Sequence, residues 1–192
     1  MRYLSKEQLR RLLEVARAEN ERDYLCFLVA YLHAGRCTEI VNLHKGKTSK
    51  RIPCVRGGKP TTIPVSYVDG DFIAMFRLKG SECTVQKLVE SSDPLFNEKA
   101  LLASLPDGPI FKGYTRHTMS NRFRKIAKLA GIPQHFGPHS LKHSCLYHAV
   151  KSATINELQA YAGHKSGAST LRYLVCDQET ASRAVVSALV AA

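Results

Sequence analysis

The amino-acid sequence predicts a mainly α-helical domain that carries a small antiparallel β-hairpin, an α+β fold. Two capping boxes, Ser5–Gln8 and Thr154–Glu157, each precede apolar residues at helical spacing. Two strand-like runs, 71–78 and 83–89, flank a short turn at 79–82, which is typical of a hairpin. The 192 residues contain no repeat or long linker, so we expect a single domain.

The first helix is predicted to begin after Ser5, because leucine and alanine then recur every three or four residues. An apolar helix is expected over 23–33, and a short one over 38–43 after a Gly-containing turn. The segment 45–64 is rich in Gly, Pro and Lys, which favours a basic loop or an irregular hairpin.

Proline and glycine mark the boundaries of the later helices. A helix over 94–105 is ended by the Pro- and Gly-containing segment 106–109, and one over 120–130 is ended by Gly131. Pro138 is suited to the first turn of a helix. Further helices are predicted over 138–151, after Thr154, over 167–176 and over 179–192, the last within a C-terminal helix or tail at 177–192.

The chain carries 28 Lys and Arg against 16 Asp and Glu, a formal net charge of +12. Residues 40–68 contain six basic side chains and no acidic one, and residues 108–156 contain eight and none. On one face, such stretches attract phosphate backbones without reading sequence; a solvated basic face without a partner is the alternative. Charge thus predicts DNA or RNA as the partner, and the candidate contacts are Lys45, Lys47, Lys50, Arg51, Arg56, Lys59, Lys112, Arg116, Arg122, Arg124 and Lys125.

Composition excludes several classes of protein. No apolar run approaches the roughly 18–20 residues that span a bilayer, and the N-terminus has no apolar signal-peptide core. The six cysteines lie far apart without a C-x-x-C pair, which argues against metal knuckles and a dense disulfide framework. We therefore expect no membrane partner, no metal, and a cytoplasmic protein with reduced thiols, nucleoid-associated if bacterial.

Short motifs occur in a definite order along the chain. Arg36 follows the turn in Ala34–Ile40, and His139–Ser144 has the sequence HSLKHS. Ala162–His164 is followed, nine residues after its histidine, by Tyr173. This order resembles the tyrosine recombinases, or phage integrases, which have an Arg after a turn, an H-x-L-R-H-T box, an L-G-H box and then the nucleophile.

The resemblance implies a site that breaks and rejoins DNA. Tyr173 would attack a phosphodiester, giving a 3′-phosphotyrosine link and a free 5′-hydroxyl. The link keeps the bond energy, so rejoining requires no ATP. The resemblance also implies that no metal or other cofactor is required. Attack builds charge on the non-bridging oxygens, which cationic donors stabilise. Arg36 suits this role because its planar fork binds phosphate bidentately, and Lys142 and His164 would add further contacts.

Proton transfer requires further residues. A phenol with a pKa near 10 is a poor nucleophile at pH 7, so a neighbour must accept its proton, and His139 is the leading candidate. The segment Arg77–Ser81 resembles the hairpin that carries the family's catalytic lysine, so Lys79 would protonate the departing 5′-oxygen. The rival donors are Lys59 and Arg56, and 45–62 then resembles a basic insertion after the first box.

Each site residue also has a purely structural interpretation. Arg36 beside Glu39 is consistent with a helix-end ion pair, and Tyr173 beside leucines is consistent with a core position in a helix. His143 is expected to pack and hydrogen-bond inside the domain instead of taking part in the chemistry. The remaining alternatives are an ordinary turn lysine at Lys79 and core histidines at His139 and His164.

Two features depart from the family pattern. Lys142 stands where the family has Arg, and a lysine lacks the two-pronged fork. Losing one donor from such a site typically costs about 2.7–4 kcal/mol, and Lys142 keeps the charge, so we expect a smaller loss. The family's N-terminal DNA-clamping domain is not expected within 1–192, which resembles an isolated catalytic domain or the short recombinases akin to fimbrial phase-variation invertases.

Three functions are compatible with these features. The first is a site-specific DNA recombinase or integrase that acts on duplex DNA as a multimer, expected to be a tetramer. The second is a non-catalytic or weakly active DNA-binding relative that keeps the fold. The third is a type IB topoisomerase-like enzyme that relaxes DNA by the same chemistry. The apolar stretch 179–192 is expected to dock on a neighbouring protomer or to pack on its own domain.

Overall fold

The N-terminal helices form as their capping residues predict. The computed structural model describes residues 3–79, 83–173 and 186. Helix α1 (Lys6–Glu19) starts at the expected capping box, in which Ser5 Oγ accepts the N–H of Gln8 at 3.1 Å. Asn20 ends α1 and caps α2 (Glu21–Leu32) with its side chain. Because one residue serves both ends, the two helices are joined without a loop.

The remaining helices are α3 (Cys37–Val41), α4 (Glu98–Ala103), α5 (Arg116–Leu129), α6 (His139–Ala149), α7 (Ile155–Ala162) and α8 (Gly167–Leu171). Helix α5 begins four residues before its predicted start because Thr115 Oγ1 accepts the N–H of Thr118 at 3.1 Å. Helix α4 is shorter than predicted because its N-cap is Asn97, whose Oδ1 accepts from the N–H of Ala100. Side-chain capping therefore moves both boundaries.

A five-stranded sheet and a separate hairpin make up the β structure. The strands are β1 (His44–Lys45), β2 (Arg51–Arg56), β3 (Lys59–Pro64), β4 (Tyr67–Asp69), β5 (Phe72–Phe76), β6 (Cys83–Lys87) and β7 (Gly108–Pro109). The sheet order is β6-β5-β4-β1-β7, with β1 and β4 parallel and the other pairs antiparallel. The predicted hairpin around 79–82 is therefore the pair β5–β6.

The basic segment after β1 is a regular hairpin. Strands β2 and β3 pair without a break from Arg51 opposite Pro64 to Arg56 opposite Lys59. The two turn residues, Gly57 and Gly58, have φ angles of 57° and 77°, which suit glycine in a tight hairpin turn. The alternative of a hairpin within 45–64 is therefore correct. The expectation that this hairpin is irregular is wrong, because the turn keeps the two strands in register.

Two apolar clusters hold the domain together. In the larger one, α2 is buried along most of its length against α1, α5 and the sheet, and Phe27 meets Phe123 edge to face. In the smaller one, Ala34 and Tyr173 pack with apolar residues of α6 and α7. The smaller cluster therefore brings the first and last sequence motifs together.

The predicted C-terminal segments fall largely outside the described residues. Helix α8 ends at Leu171, so Tyr173 lies just beyond it and not within a helix reaching 176. The predicted helix or tail over 177–192 lies outside the described residues except for Val186, which is exposed. Within the described residues, no helix has the length and apolar character needed to cross a membrane.

Candidate active site

The turn between α2 and α3 places Arg36 at the edge of the core. Ala34 has a positive φ of 47°, and a Cβ at Gly35 would lie 2.4 Å from Ile40 Cδ1. Glycine is therefore the residue that this turn admits. Arg36 follows in an extended conformation at the N-cap of α3, with 22 % of its side chain exposed. The turn thus directs one guanidinium group towards solvent.

Glu39 is a buried carboxylate shared by two guanidinium groups. Its Oε1 lies 3.0 Å from Arg36 Nη1, and its Oε2 lies 3.4 Å from Arg77 Nη1. Backbone N–H groups of Arg36 and Leu78 also donate to it. Although burial opposes ionisation, Arg77 and Arg36 hold the pKa of Glu39 below its ordinary value. The Arg36–Glu39 ion pair considered in the sequence is present, as part of a larger network.

Arg77 is fully buried and connects several segments of the chain. Its Nη2 donates to the carbonyl oxygens of His33 at 3.1 Å and Tyr161 at 2.9 Å. Its Nη1 reaches the carbonyl of Ala34, and its Nε donates to Thr84 Oγ1. The motif reasoning included Arg77 without giving it a role. The available signal is an arginine that directly continues the apolar run of β5.

The Ala-Gly-His box is explained by its contact with Arg77. Gly163 ends α7 with a φ of 65°, and a Cβ there would lie 2.9 Å from Arg77 Cγ. His164 follows, and its Nδ1 lies 3.0 Å from Thr170 Oγ1 in α8. Burial, reinforced by the charges of Lys142 and Arg36, lowers the pKa of His164 to about 4, so its ring is neutral at pH 7.

Helix α6 supplies a buried ammonium group without a partner. Lys142 is 5 % exposed, and among the described residues its Nζ has no hydrogen-bond partner. Burial, together with Arg36 and Arg77, lowers the pKa of Lys142 to about 7. Burial also lowers the pKa of His139, and the charges of Arg36 and Lys142 lower it further. These groups therefore share one electropositive region.

Tyr173 lies in the same region, buried with 3 % of its surface exposed. Its hydroxyl lies 2.7 Å from Nδ1 of His143, and its ring is nearly parallel to that of His164 with centroids 6.5 Å apart. Burial raises the pKa of Tyr173 to about 12. From the motif alone, His143 is expected to pack and hydrogen-bond inside the domain. The structure places its ring nitrogen on the phenol, a contact that the HSLKHS motif alone does not reveal.

Two hairpin turns compete for the role of general acid. Lys79 is exposed, and its carbonyl lies 3.4 Å from Arg36 Nη1. The tip of the β2–β3 hairpin lines a shared cavity with Lys79 and Lys165. Arg56, at the end of β2, donates to the carbonyl oxygen of Arg77, which ties this hairpin to the site. Lys59 is exposed one residue beyond the turn, so the structure leaves both lysines as donors.

The basic residues predicted to contact DNA divide into two groups. Some have intramolecular contacts: Lys45 donates to carbonyl oxygens of Ala103 and Leu105, and Lys47 lies 3.1 Å from Asp69. Other intramolecular pairs are Arg51 with Thr62, Arg56 with the Arg77 carbonyl, Arg122 with Asp23 and Lys125 with Glu19. Arg124 is exposed and donates to Asn121 Oδ1, and the other exposed members of the set include Lys50, Lys59, Lys112 and Arg116. Lys45 is thus primarily a structural lysine.

Two sequence relatives match most of the length of this chain. The type 1 fimbriae regulatory protein FimE of Escherichia coli K12 is 24% identical over 185 residues, which cover 90% of this chain and 84% of FimE. A tyrosine recombinase of Pseudothermotoga lettingae is 26% identical over 187 residues, which cover 92% of this chain and 57% of that protein. The chain thus spans little more than half of the second relative.

The fold agrees with the sequence relatives. The catalytic domain of bacteriophage HP1 integrase superimposes with a TM-score of 0.64 at 19% identity, covering 96% of this chain and 94% of that domain. The fold is therefore that of an integrase catalytic domain. The chain belongs to the phage integrase family, whose sequence profile matches residues 2–179.

Proposed function

We propose that this chain cleaves and rejoins duplex DNA through a transient bond between Tyr173 Oη and a 3′-phosphate. The observation that carries the proposal is the buried amino group of Lys142, which is influenced by the charge of Arg36 and has no hydrogen-bond partner among the residues that the structure describes. An unpaired buried charge is costly unless a partner of opposite sign arrives. A phosphodiester is such a partner, and a buried phenol shares the same region.

The remaining site residues have roles that follow from their positions. Arg36 and Lys142 would bind the non-bridging oxygens, which gain charge as Tyr173 attacks. His164 would support the phosphate, since Thr170 fixes its ring. His139, at the first turn of α6, would exchange protons in the same region. Rejoining requires no ATP, because the tyrosyl link conserves the bond energy of the cleaved phosphodiester.

The leaving 5′-oxygen requires a proton donor on one of the two hairpin turns. Lys79 is our first candidate, because its turn contacts Arg36 directly. Lys59 is the rival, because its hairpin is tied to the carbonyl of Arg77 through Arg56. The two lysines are distinguished by comparing the cleavage rates of Lys79→Ala and Lys59→Ala, since loss of the true donor slows cleavage by about 10²–10⁴.

DNA outside the scissile phosphate would be held by the exposed basic side chains. Arg116 is a member of that set whose charge acts on both Cys37 and His139. Phosphate contacts of this kind bind duplex DNA without reading its sequence. We further propose that the chain acts as a tetramer on DNA, because exchange between two duplexes requires four strand cleavages.

A pool of nicked duplexes with randomised sequence around the nick tests the proposal. Cleavage near the nick releases a short fragment, so religation fails and a covalent adduct accumulates. We expect a denaturation-resistant adduct with the unaltered chain and none with Tyr173→Phe. The matched control is Tyr114→Phe, which removes a phenol bonded to Asp23 on another part of the domain. Equal adduct in Tyr173→Phe would refute the proposed nucleophile.

One observation favours a second candidate, a DNA-binding relative with little or no cleavage. Lys142 lacks the fork of the family's Arg, so one phosphate oxygen loses a donor. This candidate predicts DNA binding that weakens steeply with salt. It also predicts no covalent adduct with the unaltered chain or with Tyr173→Phe, and no cleavage when Lys142 is replaced by Arg. Adduct formation that depends on Tyr173 excludes it.

A further inference from the structure

We propose that His143 accepts the proton of Tyr173 as the phenol attacks the phosphodiester. The proposal rests on the proposed function and adds a catalytic residue on the nucleophile side of that reaction. It starts from one contact, the 2.7 Å distance between His143 Nδ1 and Tyr173 Oη. Within residues 3–79 and 83–173, no hydrogen bond joins that hydroxyl to His139 or His164.

The spacing of His139 and His143 on α6 gives the two histidines different positions in the site. His139 and His143 are four residues apart, so they lie on the same face of α6, one turn from each other. The charges of Arg36 and Arg116 act on His139 at the first turn. His143, one turn later, contacts the phenol. The first histidine therefore faces the region proposed for the phosphate, and the second faces the nucleophile.

The protonation states suit this role. Burial lowers the pKa of His143, and His139 and Lys142 lower it further, so the ring is neutral at pH 7. With its hydrogen on Nε2, the neutral ring presents a lone pair at Nδ1, to which the Tyr173 hydroxyl donates. A phosphodiester bound by Lys142 offsets the charge of that ammonium and increases the basicity of His143. Substrate binding would thus prepare the base.

The step balances as follows. A lone pair of Tyr173 Oη forms the bond to phosphorus, and the Oη–H proton moves to His143 Nδ1. The bonding pair of phosphorus and the 5′-oxygen leaves with that oxygen, which takes a proton from the hairpin lysine. Because burial raises the pKa of Tyr173 to about 12, proton transfer accompanies attack and does not precede it. Rejoining reverses each transfer.

The substitution His143→Asn distinguishes a general base from a residue that only positions the phenol. The amide oxygen of Asn lies near the place of Nδ1 and accepts the hydrogen bond of the phenol, but it does not take the proton. The same helix offers a matched control, because His148 Nδ1 lies 3.1 Å from the Tyr31 hydroxyl. His148→Asn changes an equivalent His–Tyr pair that has no part in the proposed chemistry. Thermal unfolding of both variants verifies that they fold.

Single-turnover cleavage is measured on the nicked duplexes captured by the unaltered chain. General-base catalysis contributes typically 10²–10⁴ in rate, so we expect His143→Asn to cleave about 10²–10⁴ times more slowly and His148→Asn to be unchanged. A rate for His143→Asn equal to that of the control overturns the proposal, because a positioning contact then suffices. If the unaltered chain forms no Tyr173-dependent adduct, the proposed function fails and the assignment of His143 falls with it.

A second substrate assigns the defect to one side of the reaction. In a duplex with sulfur in place of the bridging 5′-oxygen, the departing strand leaves as a thiolate. This leaving group needs no acid, because thiols have a pKa of about 8.5. We expect this substrate to restore cleavage by the variant that lacks the leaving-group lysine and not by His143→Asn. Restoration of His143→Asn would show that His143 acts on the leaving group, and the proposal would be wrong.

Discussion

Replacing Lys142 by Met should make the protein more stable while abolishing cleavage. The structure shifts the pKa of Lys142 from 10.5 to about 7, which means that folding disfavours its charged form. At pH 7, a shift of this size corresponds to a cost of up to about 4 kcal/mol in the free energy of unfolding. Met has a similar length and no charge, so we expect a gain between about 1 and 4 kcal/mol.

The sign of the pH dependence provides a stricter test. Below pH 7, Lys142 is charged in both the folded and unfolded states, and the full cost applies. As the pH rises above 7, the folded state loses the proton first, so the stability of the unaltered protein increases by up to about 1.4 kcal/mol per pH unit. The advantage of Lys142→Met should therefore shrink between pH 7 and 9.

Urea denaturation of both proteins at pH 6, 7, 8 and 9 measures this difference. Lys112→Met is the control, because that lysine is exposed and its removal should change stability by no more than about 0.5 kcal/mol. A Lys142→Met protein less stable than the unaltered one, or a difference independent of pH, would refute the reasoning.

Three further predictions concern the network and the DNA surface. Arg77→Met should destabilise the fold by about 3–5 kcal/mol in urea, since it removes one of the two guanidinium partners of buried Glu39 and the donor to the carbonyl oxygens of His33 and Tyr161, and an unchanged midpoint would contradict this. Gly163→Ala should cost about 1–2 kcal/mol or more, because its φ is positive and its Cβ would meet Arg77; a neutral result by thermal unfolding would show that Arg77 yields. Lys50→Ala should reduce the salt slope of DNA binding by about 1, whereas Lys45→Met should lower stability and leave the slope unchanged; equal slopes for both would remove the distinction.

Local signals predict much of this fold. The capping boxes at Ser5 and Thr154 fix two helix starts, because each satisfies backbone donors within four residues. The start of α5 was missed because Thr115, a single capping hydroxyl, lies before the apolar pattern begins. The regular β2–β3 hairpin was anticipated only in part, since its Gly-Gly turn stands within a basic, Pro-containing segment.

The order of the motifs predicts which residues belong to the site, whereas the fold determines what those residues contact. Arg36, Lys142 and Tyr173 share one electropositive region in the structure, in agreement with their place in the motifs. The burial of Arg77 depends on carbonyl groups more than forty residues away, which no local pattern encodes. The His143–Tyr173 contact likewise depends on how α8 returns the chain to α6.

The buried position of Arg77 has a consequence for a protein made from its N-terminus. The carbonyl of Tyr161, which Arg77 binds, lies more than eighty residues after Arg77 in the chain, and Lys142 and Tyr173 also follow Arg77. Until those residues are synthesised, Arg77 lacks one of its hydrogen-bond acceptors and the proposed nucleophile is absent. An unfinished chain therefore lacks the proposed cleavage activity, which requires that the C-terminal part of the site pack against Arg77.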